Sequence, residues 1–439
     1  MSRVVVRCSA AGSHEFFETD ARHNRTSRGV LLSVKSTDTE FKNLSCSSPS
    51  PGVVTLSGDR LRDELRNHAD IEALLLAAFQ GNSVSPLYLL LDPGSTEAAQ
   101  LPWESLHDSA NAKTFLAIDC RWPVGRLIKS ASAQRQHALC VRSPAQRPVL
   151  KILAVLSAHR MCHLDEWSAL LNAKKQARNN TRFDVELRVM LSGSNFHSQV
   201  QNDDPATRCD LPGRVADIQR SIHAFKPHIV HFFCHGSKQD LQIATQSDYQ
   251  RNARSGTGSI SMTPADIVQQ VRATKCDTWM VVLNCCDSAN STADTRSLAQ
   301  QLVCSDIPVV VGMREPVTRS TANEFSKFFY EKLIDHVEAS LPTLGAAASV
   351  VEWGEIFWQP RKSVCECASQ KKVGISAPDY KEWTLPVLYV DDHDFLLDPI
   401  STQPQAQIAN QIVKKIRQDI TSTPGAPDDV NRNLADFDE

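Results

Sequence analysis

The stretches Ile229-Val-His231-Phe-Phe-Cys234-His235-Gly236 and Met280-Val-Val-Leu-Asn284-Cys285-Cys286-Asp287-Ser288 decide how this chain is read. Each is a short apolar run that ends in chemically capable residues. Runs of four or five apolar residues without alternation fit strands covered on both faces, as in a parallel sheet. Such sheets carry their working groups just beyond the carboxyl ends of the strands. Placed side by side, the two strands bring His235 and Cys286 within reach of one another. The offset of 51 residues leaves room for one crossover helix. A thiol beside an imidazole is a nucleophile with its base.

Outward from this pair the pattern alternates. Strands are expected at 150–156, 183–190, 307–312 and 385–390, and helices at 166–179, 214–225, 264–273, 297–303, 319–334 and 344–358. Alternation of this kind predicts an α/β sandwich with a mostly parallel central sheet. Upstream, Leu61, Leu65, Ile71, Leu74, Leu75 and Phe79 recur at helical spacing over 59–80, with Gly81 as a stop, and 87–91 reads as a strand. The chain divides into a small polar, β-like extension (1–52, with apolar runs at 4–6 and 30–34), an N-terminal region (53–149), a core (150–395) and an acidic tail (396–439). Segments 237–261 and 361–382 read as polar insertions. From Asp391 onward ten acidic residues face four basic ones, and Ile408, Ile412, Ile416 and Ile420 form a stripe for a docking helix. Residues 422–439 have the composition of a disordered end.

Composition removes several classes of function. No apolar run approaches the ~18 residues of a membrane span. The start, MSRVVVRCSAAGS, has too short an apolar stretch for a signal peptide. Thirteen cysteines, an odd number without framework spacing, point to reduced thiols and a cytoplasmic setting. A net charge of -3 gives no field for nucleic acid. The twelve Lys/Arg of 121–182 face only Asp165 and Glu166; they read as a solvated face, or else as a surface for the acidic tail or an acidic partner.

The chemistry follows from position. A cysteine at a strand-to-helix turn meets outward-pointing backbone N–H groups, so the amides of Gly236 and Cys286 can hold an oxyanion. Gly236 carries no side chain to obstruct a substrate carbonyl. His235 protonates the leaving amine and then activates water. Adjacent residues on a strand face opposite ways; Cys286, nearer the end, is the nucleophile and Cys285 a core residue. A zinc site built from His231, Cys234, His235, Cys285 and Cys286 lacks C-x2-C spacing, so no metal is assigned. Cys365-Glu-Cys367 is read as part of a loop, His159 and His163 as surface residues near the cleft, and Trp103 and Trp383 as packing.

Apolar strand, His-Gly, helix, apolar strand, Cys and polar turn resembles the signature shared by caspases, metacaspases and separases, and within that group the CHAT family of caspase-like peptidases. Further blocks are similar to that family in order: Leu101-Pro102-Trp103-Glu104-Ser-Leu106 with Phe115-Leu116-Ala and Arg126; Val309-Val-Val-Gly312-Met313-Arg-Glu-Pro316-Val317 running into Ala322, Phe325 and Phe329-Tyr330; and Trp383-Thr-Leu-Pro386-Val-Leu-Tyr389. The likeness spans roughly 70–392. It implies a caspase-like α/β/α sandwich, His235 and Cys286 as a catalytic dyad, and no cofactor. Cys285 falls where relatives carry a small residue such as Ala. Arg319, where many relatives have an acid, lies at a helix start.

The resemblance further implies a cysteine endopeptidase that forms an acyl-enzyme on specific protein substrates and stays latent until a partner or ligand acts. Asp287 is a candidate pocket acid selecting Arg or Lys, or else an N-cap; Asp240 and Glu315 are alternatives, and Arg314 would select an acidic residue instead. With a basic preference, Arg251, Arg254 and Arg296 become self-cleavage sites. Two other readings are a catalytically silent caspase-like scaffold and a thiol-dependent acyl transferase or hydrolase.

Overall fold

The computed structural model describes residues 3–398, apart from 9–12, 20–29, 32, 47–48, 82, 93–94, 131–134, 141–146, 160, 193–196, 205–206, 251–257, 274–277, 292–294, 344–345 and 372–376. Arg251, Arg254 and the isoleucine stripe of the tail lie outside the described residues.

Twelve strands form one sheet: β1 (Arg3–Cys8), β2 (Ser13–Thr19), β3 (Val30–Leu31), β4 (Leu87–Leu91), β5 (Val124–Ile128), β6 (Val149–Leu156), β7 (Asp184–Leu191), β8 (Arg208–Asp210), β9 (Ile229–Phe233), β10 (Met280–Leu283), β11 (Val309–Met313) and β12 (Pro386–Asp391). Their order is β8-β7-β6-β9-β10-β11-β12-β5-β4-β1-β2-β3. Strands β8 to β11 run parallel. β12 is antiparallel to β11, and β5, β4 and β1 then run parallel to β12. The sheet is thus mostly parallel, made of two parallel blocks of opposite direction with an antiparallel β2–β3 edge. β9 and β10 are buried throughout, which explains why neither alternates in polarity.

Helices cover the sheet in two groups. On one side α3 (Leu164–Asn180), α7 (Arg319–Ser340) and α8 (Trp358–Lys371) pack together; on the other are α4 (Val215–Phe225), α5 (Pro264–Ala273) and α6 (Leu298–Val303). α6 begins with a capping box, in which Ser297 accepts from the Gln300 amide and the Gln300 side chain accepts from the Ser297 amide.

Four expectations are corrected. The helix expected over 59–80 is two, α1 (Val53–Arg66) and α2 (Ala69–Gln80), separated at Asn67-His68. On both sides of the break the apolar residues are buried, Leu61 and Leu65 on α1 and Ile71 and Leu75 on α2. The helix expected over 344–358 is instead a short strand (Ser349–Val351) and a 3₁₀ turn (Trp353–Ile356). The first half of the polar insertion at 361–382 is α8, whose buried Arg361 donates to the carbonyls of Val124 and Pro386. The loop at 237–261 contains a small antiparallel sheet of His235–Gly236, Leu241–Ile243 and Ile260–Met262.

β5 had no counterpart in the sequence reading because Arg126 stands at its centre. Arg126 is buried, pairs with Glu104 at 2.7 Å, and donates to the carbonyls of Ala99 and Leu101. A buried guanidinium is tolerated only when its donors are used in this way.

Candidate active site

The β9–β10 register decides where the chemistry sits. Ile229 pairs with Met280 and Phe232 with Leu283, a constant offset of 51, and the Asn284 amide continues the ladder to the Phe232 carbonyl. The ladder ends there, so the register sets the ends of the two strands level, and the residues that follow leave it.

Beyond β9 the chain turns into the small sheet, where His235 pairs with Gln242 and Gly236 with Leu241. Asp240 clasps this sheet by accepting from Ser237 Oγ, Gln242 Nε2 and Ser261 Oγ. His235 is half-buried, and its Nε2 lies 3.0 Å from the His159 carbonyl. A carbonyl can only accept, so this contact places the ring proton on Nε2 and leaves the lone pair on Nδ1. His159 comes from the loop after β6, which is held to the end of β9 by the Ser157 amide on the Phe233 carbonyl. Its side chain is buried against Tyr249, not at the surface as expected. His163 is buried as well, and burial pushes it down to about 4 despite its contact with the Ala158 carbonyl.

Beyond β10 a tight turn presents Cys286. Asp287 adopts φ 57°, in the left-handed region, and its carboxylate accepts from Asn290 Nδ2. Ser288 Oγ accepts from the Met313 amide and lies 3.0 Å from the Cys285 carbonyl, tying the turn to β11. Asp287 therefore shapes the turn from a left-handed position and is not the N-cap of a helix. Cys286 is half-buried, with Sγ 4.0 Å from the Val317 carbonyl. Burial pushes its thiol above the ordinary value, so at neutral pH the proton stays on sulfur until a base removes it.

At Gly236 the structure shows a packing reason for glycine. A Cβ there would lie 2.6 Å from the Cys286 carbonyl oxygen and 3.1 Å from Cys285 Sγ. The missing side chain makes room for the Cys285–Cys286 backbone and lets the two arms of the site touch. Cys285 is buried, as is Cys234. A hydrogen bond between the two thiols, followed by burial, pushes Cys234 well above its ordinary value.

The other candidate pocket residues are engaged elsewhere. Glu315 is buried and bonded to Lys381 Nζ at 2.6 Å, with Arg314 at 3.4 Å. Arg314 is buried between Glu315 and Thr384. Neither meets solvent as a selector would. Arg296 is exposed, 3.3 Å from Cys304 Sγ, and lines a half-open cavity with Leu91, Asp92, Ile128 and Lys129. That cavity does not include the His–Cys pair. Among the described residues the one grouping with metal-ligand spacing is Asp391, Asp392 and His393, at the end of the central strand β12 and level with the amino end of β11, so at the other end of the strands from Cys286. Cys365 is a buried residue of α8, and Trp103 and Trp383 are core.

A buried polar cluster behind the pair was missed in the sequence. Glu166 Oε1 lies 2.8 Å from His231 Nε2 and accepts from Asn284 Nδ2 and Ser326 Oγ. The polar His231 and Asn284 within otherwise apolar runs were its visible signals.

A model described as the CHAT domain matches residues 56–347, more than half of the chain. No curated protein matches. Among solved structures, the Saccharomyces cerevisiae separase–securin complex is similar at 11% identity and a TM-score of 0.34, over 73% of this chain but only 16% of that one. The complex of Porphyromonas gingivalis RgpB pro- and mature domains is similar at 11% identity and 0.42, over 80% and 74%. The Arg-specific cysteine proteinase gingipain R gives 9% identity and 0.41, over 81% and 74%.

Proposed function

This chain belongs to the CHAT domain family, and on that premise we propose that it is a caspase-like cysteine endopeptidase with His235 and Cys286 as its dyad. The observation that carries the reading is the close approach of the His235-Gly236 segment to Cys286, where a Cβ on Gly236 would lie 2.6 Å from the Cys286 carbonyl oxygen, with His235 Nε2 on the His159 carbonyl. In the proposed reaction Nδ1 takes the Cys286 proton as sulfur attacks the scissile carbonyl. The backbone amides of Gly236 and Cys286 hold the oxyanion of the tetrahedral intermediate. His235 returns the proton to the departing amine, leaving an acyl-enzyme, and then activates the water that hydrolyses it.

Of the three candidate pocket acids, Asp287 remains beside Cys286, half-buried and bonded within its own turn, while Asp240 and Glu315 are engaged elsewhere. The proposed preference is therefore for Arg or Lys before the scissile bond. Burial of the Cys286 thiol supports a latent resting state relieved by a regulatory protein partner. The same observation favours the second reading, a catalytically silent scaffold.

Mass-spectrometric profiling of a proteome-derived peptide library tests both. New termini after Arg or Lys with wild type and Cys286-dependent loss in Cys286→Ala support the peptidase. The absence of new termini from wild type, with and without cell lysate as a source of activator, supports the scaffold.

A further inference from the structure

Glu166 is completely buried in the first turn of α3, an expensive position for a carboxylate. Its Oε1 gathers three elements at once: β9 through His231 at 2.8 Å, β10 through Asn284 Nδ2 at 3.1 Å, and α7 through Ser326 Oγ. Asn284 also donates to Ser326 Oγ and to the Ala322 carbonyl, and the His231 ring meets Tyr330 edge-on at 5.5 Å. His231 lies four residues before His235, and Asn284 two before Cys286. The loop that enters α3 supplies the His159 carbonyl that orients His235. A single carboxylate thus sets the ends of both strands and the start of the helix behind them. Apolar side chains of similar volume would fill this space at lower desolvation cost, but without fixing one relative position.

We propose that Glu166 is a positioning residue for the dyad, holding β9, β10 and the His159 loop so that His235 Nδ1 meets the Cys286 thiol. The proposal rests on the dyad reading, so its test does not use a peptide substrate. The rate of alkylation of Cys286 by iodoacetamide at neutral pH is followed at the Cys286 peptide by mass spectrometry. The proteins compared are wild type, His235→Ala, Glu166→Gln, the double variant, and Leu170→Ala, a buried residue one turn along α3 that serves as a stability control. Removal of His235 is expected to slow alkylation about tenfold, and Glu166→Gln to slow it by a similar factor through misplacement. The double variant is expected to be no slower than His235→Ala alone, because both remove one coupling. Leu170→Ala should lower the melting temperature and leave the rate unchanged. If Glu166→Gln does not fold, Asn284→Ser replaces it in the same cycle. Unchanged alkylation in His235→Ala would sink the dyad reading itself. A slowed His235→Ala beside a wild-type rate in Glu166→Gln, or effects that multiply in the double variant, would overturn the role of Glu166 and leave the dyad standing.

Discussion

Strand β9 has a histidine and a cysteine at each end, and the two histidines differ in burial. At its amino end His228 Nε2 lies 3.6 Å from Cys140 Sγ. Its Nδ1 accepts from the Lys151 amide at 2.9 Å, and its ring tilts against Trp279 at 4.7 Å. Burial, then the charges of Lys151 and His137, push His228 down to about 3. Both ring nitrogens have partners and the ring is locked neutral. At the carboxyl end His235 is half-buried with Nε2 on a carbonyl, and Gly236 beside it abuts the backbone of a half-buried Cys286. Nearness of a thiol to an imidazole does not make a site. Exposure matters as well, and groups just beyond the carboxyl end of a parallel strand have it.

The largest expected effect separates the two ends directly. On the best substrate from the library profile, Cys286→Ala should reduce kcat/KM by about 10³-fold or more, whereas Cys140→Ala should leave it within about twofold. Equal loss in both would mean that the ends are not functionally distinct. Next comes Gly236→Ala, whose Cβ must displace the Cys286 carbonyl 2.6 Å away. A shift near 1 Å at the dyad is expected to cost about 10²-fold in kcat with little change in KM. Wild-type turnover in this variant would show that the two arms need not touch.

The amino end is probed by acid. His228 at about 3 and His137 at about 4 are held neutral against an ordinary value of 6.5, chiefly by burial. The unfolded chain binds protons near pH 6.5 that the folded chain refuses. Their contribution to stability is therefore complete above 6.5 and lost as the pH falls toward 4, by about 1.4 kcal/mol per histidine per pH unit. Urea titrations at pH 7, 6 and 5 measure this, and His228→Gln should flatten the slope; an identical slope in that variant would refute the assignment. The smallest effect is expected at Cys285→Ala: about 1 kcal/mol of stability from a small core cavity, with cleavage retained. Loss of cleavage there at unchanged stability would move the nucleophile by one residue.

What was legible in the sequence was what depends on neighbouring residues. β9 and β10 fall at the residues their apolar runs marked, because a strand covered on both faces writes its burial into every position. α4, α5 and α6 agree within a residue or so, since their caps and apolar spacing are local. Elements whose polarity is balanced from afar were hidden. β5 contains an arginine neutralised by Glu104, and α8 contains one bonded to the carbonyls of Val124 and Pro386.

The candidate site divides along the same line. From the sequence alone came the two strands, the His-Gly and Cys-Cys endings, and the 51-residue offset that matches the ladder between them. Only the tertiary structure decided that Gly236 yields space to the cysteine backbone, that a main-chain carbonyl orients His235, and that Asp240 and Glu315 are engaged elsewhere. It alone also placed Glu166 behind both strands. Hydrophobic pattern is a property of the chain read in order, whereas a carbonyl, a packing clearance or a buried counter-charge exists only once distant segments meet.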